Sequence, residues 1–584
     1  MSARRKAALL GAGLAVYALL AFQTLRGNSA TFDEGAHLPA GYTYLVLGDH
    51  RLNPEQPPLV KLLAAAPLLL VHPAVRTDDV AWAKGRQWEF GRRFLYAWND
   101  GDRLLLLGRL PMVALGMGLV TAVFLRARRQ AGEAAAVLAL VLAVFSPDFL
   151  AHGTLVTTDL ALALFVFLAV GAFDRVCERP TAGRMLALGL ATGAAFASKF
   201  SAVVLGPTLI VLGAVAVATP RAPEGAVGGS TPAPDARGRG AGRVAAALGV
   251  TAALALATVW ASYGFRGAIS PDPSVRAALR APLESPQEHA WQRALVASAD
   301  LGALPEDYVR GLLFVMKHSE HRPTFLLGHL SDKGFTGYFL VTFLLKTPVP
   351  LLLLTALALA RIPRLPPRVA AFLWVPVVVY LGLTLNRGLQ IGHRHLLPIL
   401  PFVVVAAAEA GAALLRWRRP AGLLLVGALG VWYVGGTLRN HPHHLAYFNE
   451  IAGGPANGWR LLVDSNLDWG QDLKRLKAWM DAHAVSRIKL SYFGSADPAY
   501  YGIDAERLPG YSAPHPTHVT RVVRPGDVVA VSATNLQGVY LDADDRALMA
   551  RFRRERPIGR AGYSILIFRA DFTWPPAGTA EEGS

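Results

Sequence analysis

"RMLALGLATGAAFASKFSAVVLGPTLIVLGAVAVAT", residues 184–219, is nearly continuous apolar sequence, and how it is divided decides the topology. As one helix it would run about 54 Å at 1.5 Å per residue, against a bilayer hydrocarbon core of roughly 30 Å. After Arg184 its one charge is Lys199, inside "SKFS". A break there makes two spans with Lys199 at the turn. Nine further apolar stretches read as spans, 4–22, 103–125, 131–147, 159–176, 244–263, 338–360, 369–385, 396–415 and 420–436, giving eleven in all.

Charge placement tests this count. With the N-terminus inside, the connections "RARR" (126–129), "DRVCERPTAGR" (174–184), 220–243, "RIPRLPPR" (361–368) and "RWRR" (416–419) all face the cytoplasm, and all are short and basic. Without the break at Lys199 every later loop would change sides. The outer face then receives 26–102, 148–158, Lys199, 264–337, 386–395 and everything after 437. The expected fold is a polytopic α-helical membrane protein with a transmembrane domain over 1–436 and a soluble extracytoplasmic α/β domain over 437–584. Within the first, 220–243 is a Pro/Gly/Arg-rich cytoplasmic linker, and 26–102 and 264–337 are external loops. The basic first segment (4–22) is read as a retained span, with "NSA" (28–30) leaving a cleaved signal peptide as the other reading.

Composition agrees. The chain of 584 residues is 53% hydrophobic and only 17% charged, below the quarter or so typical of soluble domains. Its net charge of +17 sits largely in clusters beside apolar runs, which marks orientation in a membrane rather than binding to nucleic acid. One cysteine, Cys177, excludes an intramolecular disulfide.

The chemistry-bearing residues gather on the outer side. Asp33 and Glu34 follow the first span, and "AHLPAGYTYLVLG" and "PPLVKLLAAAPLLLV" after them read as helices lying in the interface. Asp159 opens the fourth span with His152 seven residues earlier. Lys199 and Lys346 are cations at membrane depth, where charge is costly and faces a cavity or a partner. "NRGLQIGHRHLLP" adds Arg387, His393, Arg394 and His395; several cations at one interface suit a phosphate. "HPHH" (441–444) and "HSEH" (318–321) lack a matching second cluster for metal. "DSNLDWGQD" (464–472) fails as a calcium loop, because Gly470 falls one place late and position twelve is Arg475. Asp468 with Gln471 reads instead as a capping box for the amphipathic helix that follows. "RLLVDSN", "RIKLSYFG", "DVVAVSATN" and "SILIFRA" read as strands.

"TFDEGAHLPAGYTYL", "RLNPEQPPLVKLL", "SPDFLAHGTLVTTDLALALF", "SKFSAVVLGP", "LLKTPVP", "GHRHLLPILPF" and "SNLDWGQDLKRLK", in this order, resemble bacterial polyprenyl-phosphate-dependent glycosyltransferases of the glycosyltransferase-C superfamily. Relatives of that superfamily include protein O-mannosyltransferases and the aminoarabinose transferase that modifies lipid A. The resemblance implies a transferase of the cell envelope, in the inner (plasma) membrane, that moves a sugar from a polyprenyl-phosphate donor to a hydroxyl of a protein, lipid or glycan acceptor; direct displacement predicts inversion. It places the loop acid at Asp33 with Glu34 beside it and the second acid at Asp159. Donor-phosphate contacts fall on Lys199, Lys346 and Arg394, with His152, Arg387 and His395 as accessory candidates. No cofactor is required, and a divalent metal has no support in the sequence. The competing reading, a secondary transporter or lipid flippase, calls for internal symmetry that the sequence does not display.

Overall fold

Lys199 is a break in the chain. Helix Ala182–Ser198 ends one residue before it, Lys199 is extended (φ −156°, ψ 139°), and the 3-10 turn Phe200–Val204 leads into helix Leu205–Ala218. The computed structural model describes residues 2–219, 236–267, 269–284, 289–319, 322–384, 389–417, 419–516 and 518–576. Among them eight helical segments are long and apolar enough to cross a membrane: Ala3–Gly27, Gly101–Ala131, Asp159–Glu178, Phe200–Ala218, Gly240–Ser262, Pro367–Thr384, His393–Trp417 and Pro420–Arg439. A ninth arises if the pair Tyr338–Lys346 and Val349–Ala360, bent by 120°, counts as one span. The other two expected spans exist as helices that fall short: Ala182–Ser198, and Glu133–Val144, whose 12 residues reach only about 18 Å. The chain is a multi-pass membrane protein.

The basic connections gather at one end of the bundle. Arg126 and Arg368 both pair with Asp174, at 3.2 and 3.1 Å, Arg361 pairs with Glu409 at 3.1 Å, and Arg129 with Glu178. Segments expected on the opposite side meet one another at the other end, as described below. The stretch read as linker lies outside the described residues over 220–235, and from Ala236 it is already the start of the helix that ends at Ser262. The apolar periodicity of that helix begins only near Val244, which is why its polar first turns read as linker.

The two segments expected to lie in the interface are helix Glu34–Leu47 and helix Leu59–Ala65, the latter continued by a 3-10 turn to Leu70. The first is buried along most of its length, so it is an internal element rather than a surface one. Glycines allow this: a side chain at Gly41 would meet the Lys61 carbonyl at 2.1 Å, and one at Gly91 would meet the Gly35 carbonyl at 1.8 Å.

A hairpin, β1 (Thr324–Leu326) and β2 (His329–Ser331), lies in the long loop before Tyr338. The C-terminal region holds a five-stranded mixed sheet of β3 (Arg487–Ser491), β4 (Asp504–Arg507), β5 (Val528–Ser532), β6 (Gly559–Ala561) and β7 (Ile565–Arg569) in the order β4-β3-β5-β7-β6. β3 runs parallel to both neighbours, and β7 is antiparallel to both of its own. Three expected strands are present, but "RLLVDSN" forms 3-10 turns instead. Its polar residues bond outward: the Asp464 amide donates to Thr534 Oγ1 and Asn466 Nδ2 to Tyr338 Oη. The capping-box reading is also overturned. The helix starts at Leu473, and Asp468 Oδ2 accepts from the Thr534 amide at 2.8 Å while Gln471 Oε1 accepts from the Trp469 amide. Asp468 is buried, which raises its carboxyl well above the ordinary value, and a tertiary partner has displaced the local one.

Candidate active site

The turn that carries Asp33 is stitched to the C-terminal region through backbone. The Ser29 amide donates to the Gln471 carbonyl at 3.0 Å, the Phe32 amide to the Trp469 carbonyl at 2.8 Å, and Ser495 Oγ to the Phe32 carbonyl at 2.8 Å. Bonds between main-chain groups buried on both sides cannot shift without orphaning donors, so this turn is held by its partner segment. Asp33 occupies the position before helix Glu34–Leu47, and its carbonyl accepts from the amides of Ala36 and His37.

Four expected residues converge here. Arg394 Nη1 donates to Asp33 Oδ2 at 2.8 Å and to Asp159 Oδ2 at 3.3 Å, and Lys199 Nζ donates to Asp159 Oδ1 at 2.5 Å. The Arg394 guanidinium lies over the Trp469 ring, 4.1 Å from its centroid. Asp159 is thereby charge-balanced between two cations, while Asp33 keeps a quarter of its side chain exposed. Arg394 Nε and His395 Nε2 are buried without a hydrogen-bond partner among the described residues.

Asp33, Lys199, Arg394 and His395 line a cavity of about 2680 Å³. One part of its wall is aliphatic and aromatic, with Phe196, Val204, Leu209, Leu248, Val259 and Tyr380 from the helices around Lys199. Another part is polar and comes from the first loop, the loop before Tyr338 and the C-terminal region, with Glu55, Gln56, Gln87, Trp88, Arg322, Tyr511 and Tyr540. An apolar wall that ends at Asp33, Lys199 and Arg394 suits an amphiphile with an anionic head.

The remaining expected site residues stand elsewhere. Glu34 is fully buried and does not line the cavity. Its Oε1 accepts from Arg109 Nε (2.8 Å) and the Val156 amide (3.0 Å), and its Oε2 from Arg109 Nη2 (2.7 Å), the Thr31 amide (2.8 Å) and Thr31 Oγ1 (2.9 Å). Burial alone would raise this carboxyl, but the Arg109 charge and these hydrogen bonds outweigh it and leave the group below its ordinary value. Glu34 joins the first loop to helix Gly101–Ala131 through Arg109, away from the cavity where the expected catalytic acids were to meet. Asp159 is likewise behind the cations rather than on the cavity wall. Lys346, at the 120° bend, is buried and gives its ammonium to the carbonyls of Leu445 (2.8 Å) and Asn466 (2.5 Å) and to the face of Phe448. It is bonded to the C-terminal region and does not line the cavity, apart from the expected phosphate ligands Lys199 and Arg394. His152 is buried near Trp469, away from the cavity wall, and burial holds it at about 4. Arg387 lies outside the described residues. No group of three His, Cys, Asp or Glu that could hold a metal ion occurs among the described residues.

Sequence reasoning missed the wall that faces Asp33. Glu55 stands in the quoted "NPEQPP" turn but passed as punctuation; its carboxylate accepts from Gln87 Nε2 at 2.6 Å and Asn53 Nδ2 at 2.5 Å, and burial raises it. Lys61 braces the same turn through the carbonyls of Asn53 and Gln56, both at 2.7 Å. A lysine inside an apolar run was the available signal.

Residues 104–224 match the family model described as dolichyl-phosphate-mannose-protein mannosyltransferase. That match supports the resemblance read from the sequence. The matched stretch runs from helix Gly101–Ala131 past Asp159 and Lys199. No curated protein matches the chain by sequence. Among solved structures, the chain is similar to ArnT from Cupriavidus metallidurans bound to undecaprenyl phosphate, at 13% identity and a TM-score of 0.49 over 97% of this chain and 98% of that one. It is similar to the oligosaccharyltransferase AglB from Archaeoglobus fulgidus in complex with an inhibitory peptide and a dolichol-phosphate, at 13% identity and a TM-score of 0.47 over 83% and 60%. The S. cerevisiae protein O-mannosyltransferase Pmt1-Pmt2 complex, bound to its sugar donor, matches at 18% identity and a TM-score of 0.34 over 45% and 34%.

Proposed function

We propose that the protein is an inverting membrane glycosyltransferase that takes a sugar from a polyprenyl monophosphate and gives it to an acceptor hydroxyl on the extracytoplasmic face of the plasma membrane. The observation that carries this reading is the placement of Asp33, Arg394 and Lys199 together where an apolar cavity wall meets a polar one. The tail would lie against Leu209, Leu248 and their neighbours, and the phosphate against Lys199 and Arg394.

In the reaction Asp33 accepts the proton of the acceptor hydroxyl as general base. The acceptor oxygen forms its bond to the anomeric carbon from the side opposite the phosphate. The bond from that carbon to the phosphate oxygen breaks, and polyprenyl phosphate departs with the electron pair. Lys199 and Arg394 neutralise the charge gathering on it; removing one such donor costs about 3–4 kcal/mol in comparable oxyanion sites. Asp159 is a positioning residue that holds both cations aimed at one point.

The test is incubation of the reconstituted protein with labelled undecaprenyl-phosphate hexoses and pentoses and a membrane extract as acceptor. Donor loss with release of undecaprenyl phosphate supports the reading. Donor that crosses the bilayer unconsumed would establish transport instead.

A further inference from the structure

Next to Asp33 stands an aromatic wall built by two distant parts of the chain. Phe32 meets Trp88 edge-on at 5.1 Å between centroids and lies nearly parallel to Tyr511 at 5.8 Å; Tyr511 meets Tyr540 at 4.7 Å. Trp88, Tyr511 and Tyr540 are half-buried, and each presents part of its ring to the cavity. Polar groups surround them. Tyr540 Oη donates to Asp464 Oδ2 at 2.5 Å and accepts from Arg322 Nε at 3.3 Å. Glu55 and Gln87 join each other on the same cavity wall, and Gln56 Oε1 is buried with no partner among the described residues.

We propose that this wall is the subsite for the donor's sugar ring, so that the C-terminal region supplies half of the sugar-recognition surface through Tyr511 and Tyr540. The inference rests on the glycosyltransferase reading above. A pyranose or furanose ring has one face of C–H bonds and a rim of hydroxyls. Aromatic faces carry negative quadrupole density and attract the C–H face, while carboxylate, amide and guanidinium groups at the edge bond the rim. The geometry favours the donor's sugar over an acceptor because the ring must sit one ester bond from the phosphate. Phe32 is the neighbour of Asp33, whose carboxylate is bonded to the phosphate-handling Arg394. This also gives the backbone stitching between residues 29–32 and 469–471 a purpose. It holds the two halves of the subsite in register.

The experiment measures binding of undecaprenyl phosphate, bare or carrying mannose, glucose, galactose or arabinose, to the full-length protein in micelles. The wild type should bind at least one glycosylated lipid more tightly than the bare one. Trp88→Leu and Tyr511→Leu should each lose about ten-fold of that preference and keep bare-lipid affinity within about two-fold. Tyr511→Phe, which keeps the ring, should retain the preference, and unfolding midpoints of all variants confirm that they are folded. Equal weakening of both lipids, an unchanged preference, or no preference in the wild type would overturn the subsite. Bare-lipid binding that is absent, or indifferent to Arg394→Gln, would instead overturn the glycosyltransferase reading and the subsite with it.

Discussion

Glu34→Ala separates a structural acid from a catalytic one. The carboxylate holds a bidentate ion pair with Arg109 in which neither side chain is more than 2% exposed, and it also accepts from the amides of Thr31 and Val156. Removing one partner of such a pair strands a buried guanidinium, at a cost of about 3–5 kcal/mol. Each amide left without an acceptor adds about 1–3 kcal/mol unless water reaches it. Against a typical total of about 5–15 kcal/mol, E34A should stand close to unfolding. Glu34→Gln keeps the shape and part of the hydrogen bonding, so it should fall between E34A and wild type. The double variant Glu34→Leu/Arg109→Leu leaves no charge unpaired but still orphans the Thr31 and Val156 amides and the Leu25, Asn28 and Ser29 carbonyls, so it should recover only part of the loss. The assay is denaturant unfolding of the purified protein in micelles, followed by tryptophan fluorescence, with donor turnover measured on the folded fraction. An E34A protein of wild-type stability that has lost turnover would refute the reasoning and return Glu34 to the chemistry.

Four further outcomes are expected. Lys346→Met should lower stability by about 1–3 kcal/mol for each carbonyl it strands, while donor KM stays at the wild-type value; a raised KM in a fully stable protein would contradict the fastening role. Arg394→Gln should weaken binding of bare undecaprenyl phosphate and cut kcat by about 10²–10³-fold, read from equilibrium binding and single-turnover rates. Asp159→Asn should lower kcat through misaligned cations, and added salt should leave the defect in place because the pairs are buried. His50 and His152 are both held at about 4 by burial, whereas in the unfolded chain they protonate near 6.5. The unfolded state therefore binds more protons between these values, and stability should fall as pH drops from 6.5 towards 4, by up to about 3 kcal/mol per histidine. Denaturant curves at pH 7 and 4.5 measure this, and an unchanged midpoint would contradict it.

The topology was legible because charge constrains it at every loop. A misplaced break at Lys199 would have inverted the side of each later connection, and the Arg126–Asp174–Arg368 cluster puts the basic connections at one end. Lys199 stood out as a costly charge between apolar runs, Asp33 as an acid at the outer edge of the first span and Arg394 as one of several cations on the same face, and the fold brings the three to one cavity. Glu34 does not join Asp33 on the cavity because successive residues entering a helix point about 100° apart, so neighbours in sequence need not share a face. Asp468 was misread because the local capping pattern is satisfied in sequence while the folded chain offers the buried amide of Thr534. The aromatic wall was illegible for a different reason. Trp88 comes from the first loop and Tyr511 and Tyr540 from the C-terminal region, and no local periodicity announces that they meet.

The account stands most directly on Asp33. In Asp33→Asn the side chain keeps its size and can still accept from Arg394 through its carbonyl, so the site should bind undecaprenyl-phosphate sugar with near wild-type affinity. Proton removal is lost, and donor consumption should drop by about 10²–10⁴-fold. Binding and consumption measured on the same labelled lipid give both quantities at once. An Asp33→Asn protein that consumes donor at the wild-type rate would contradict the mechanism.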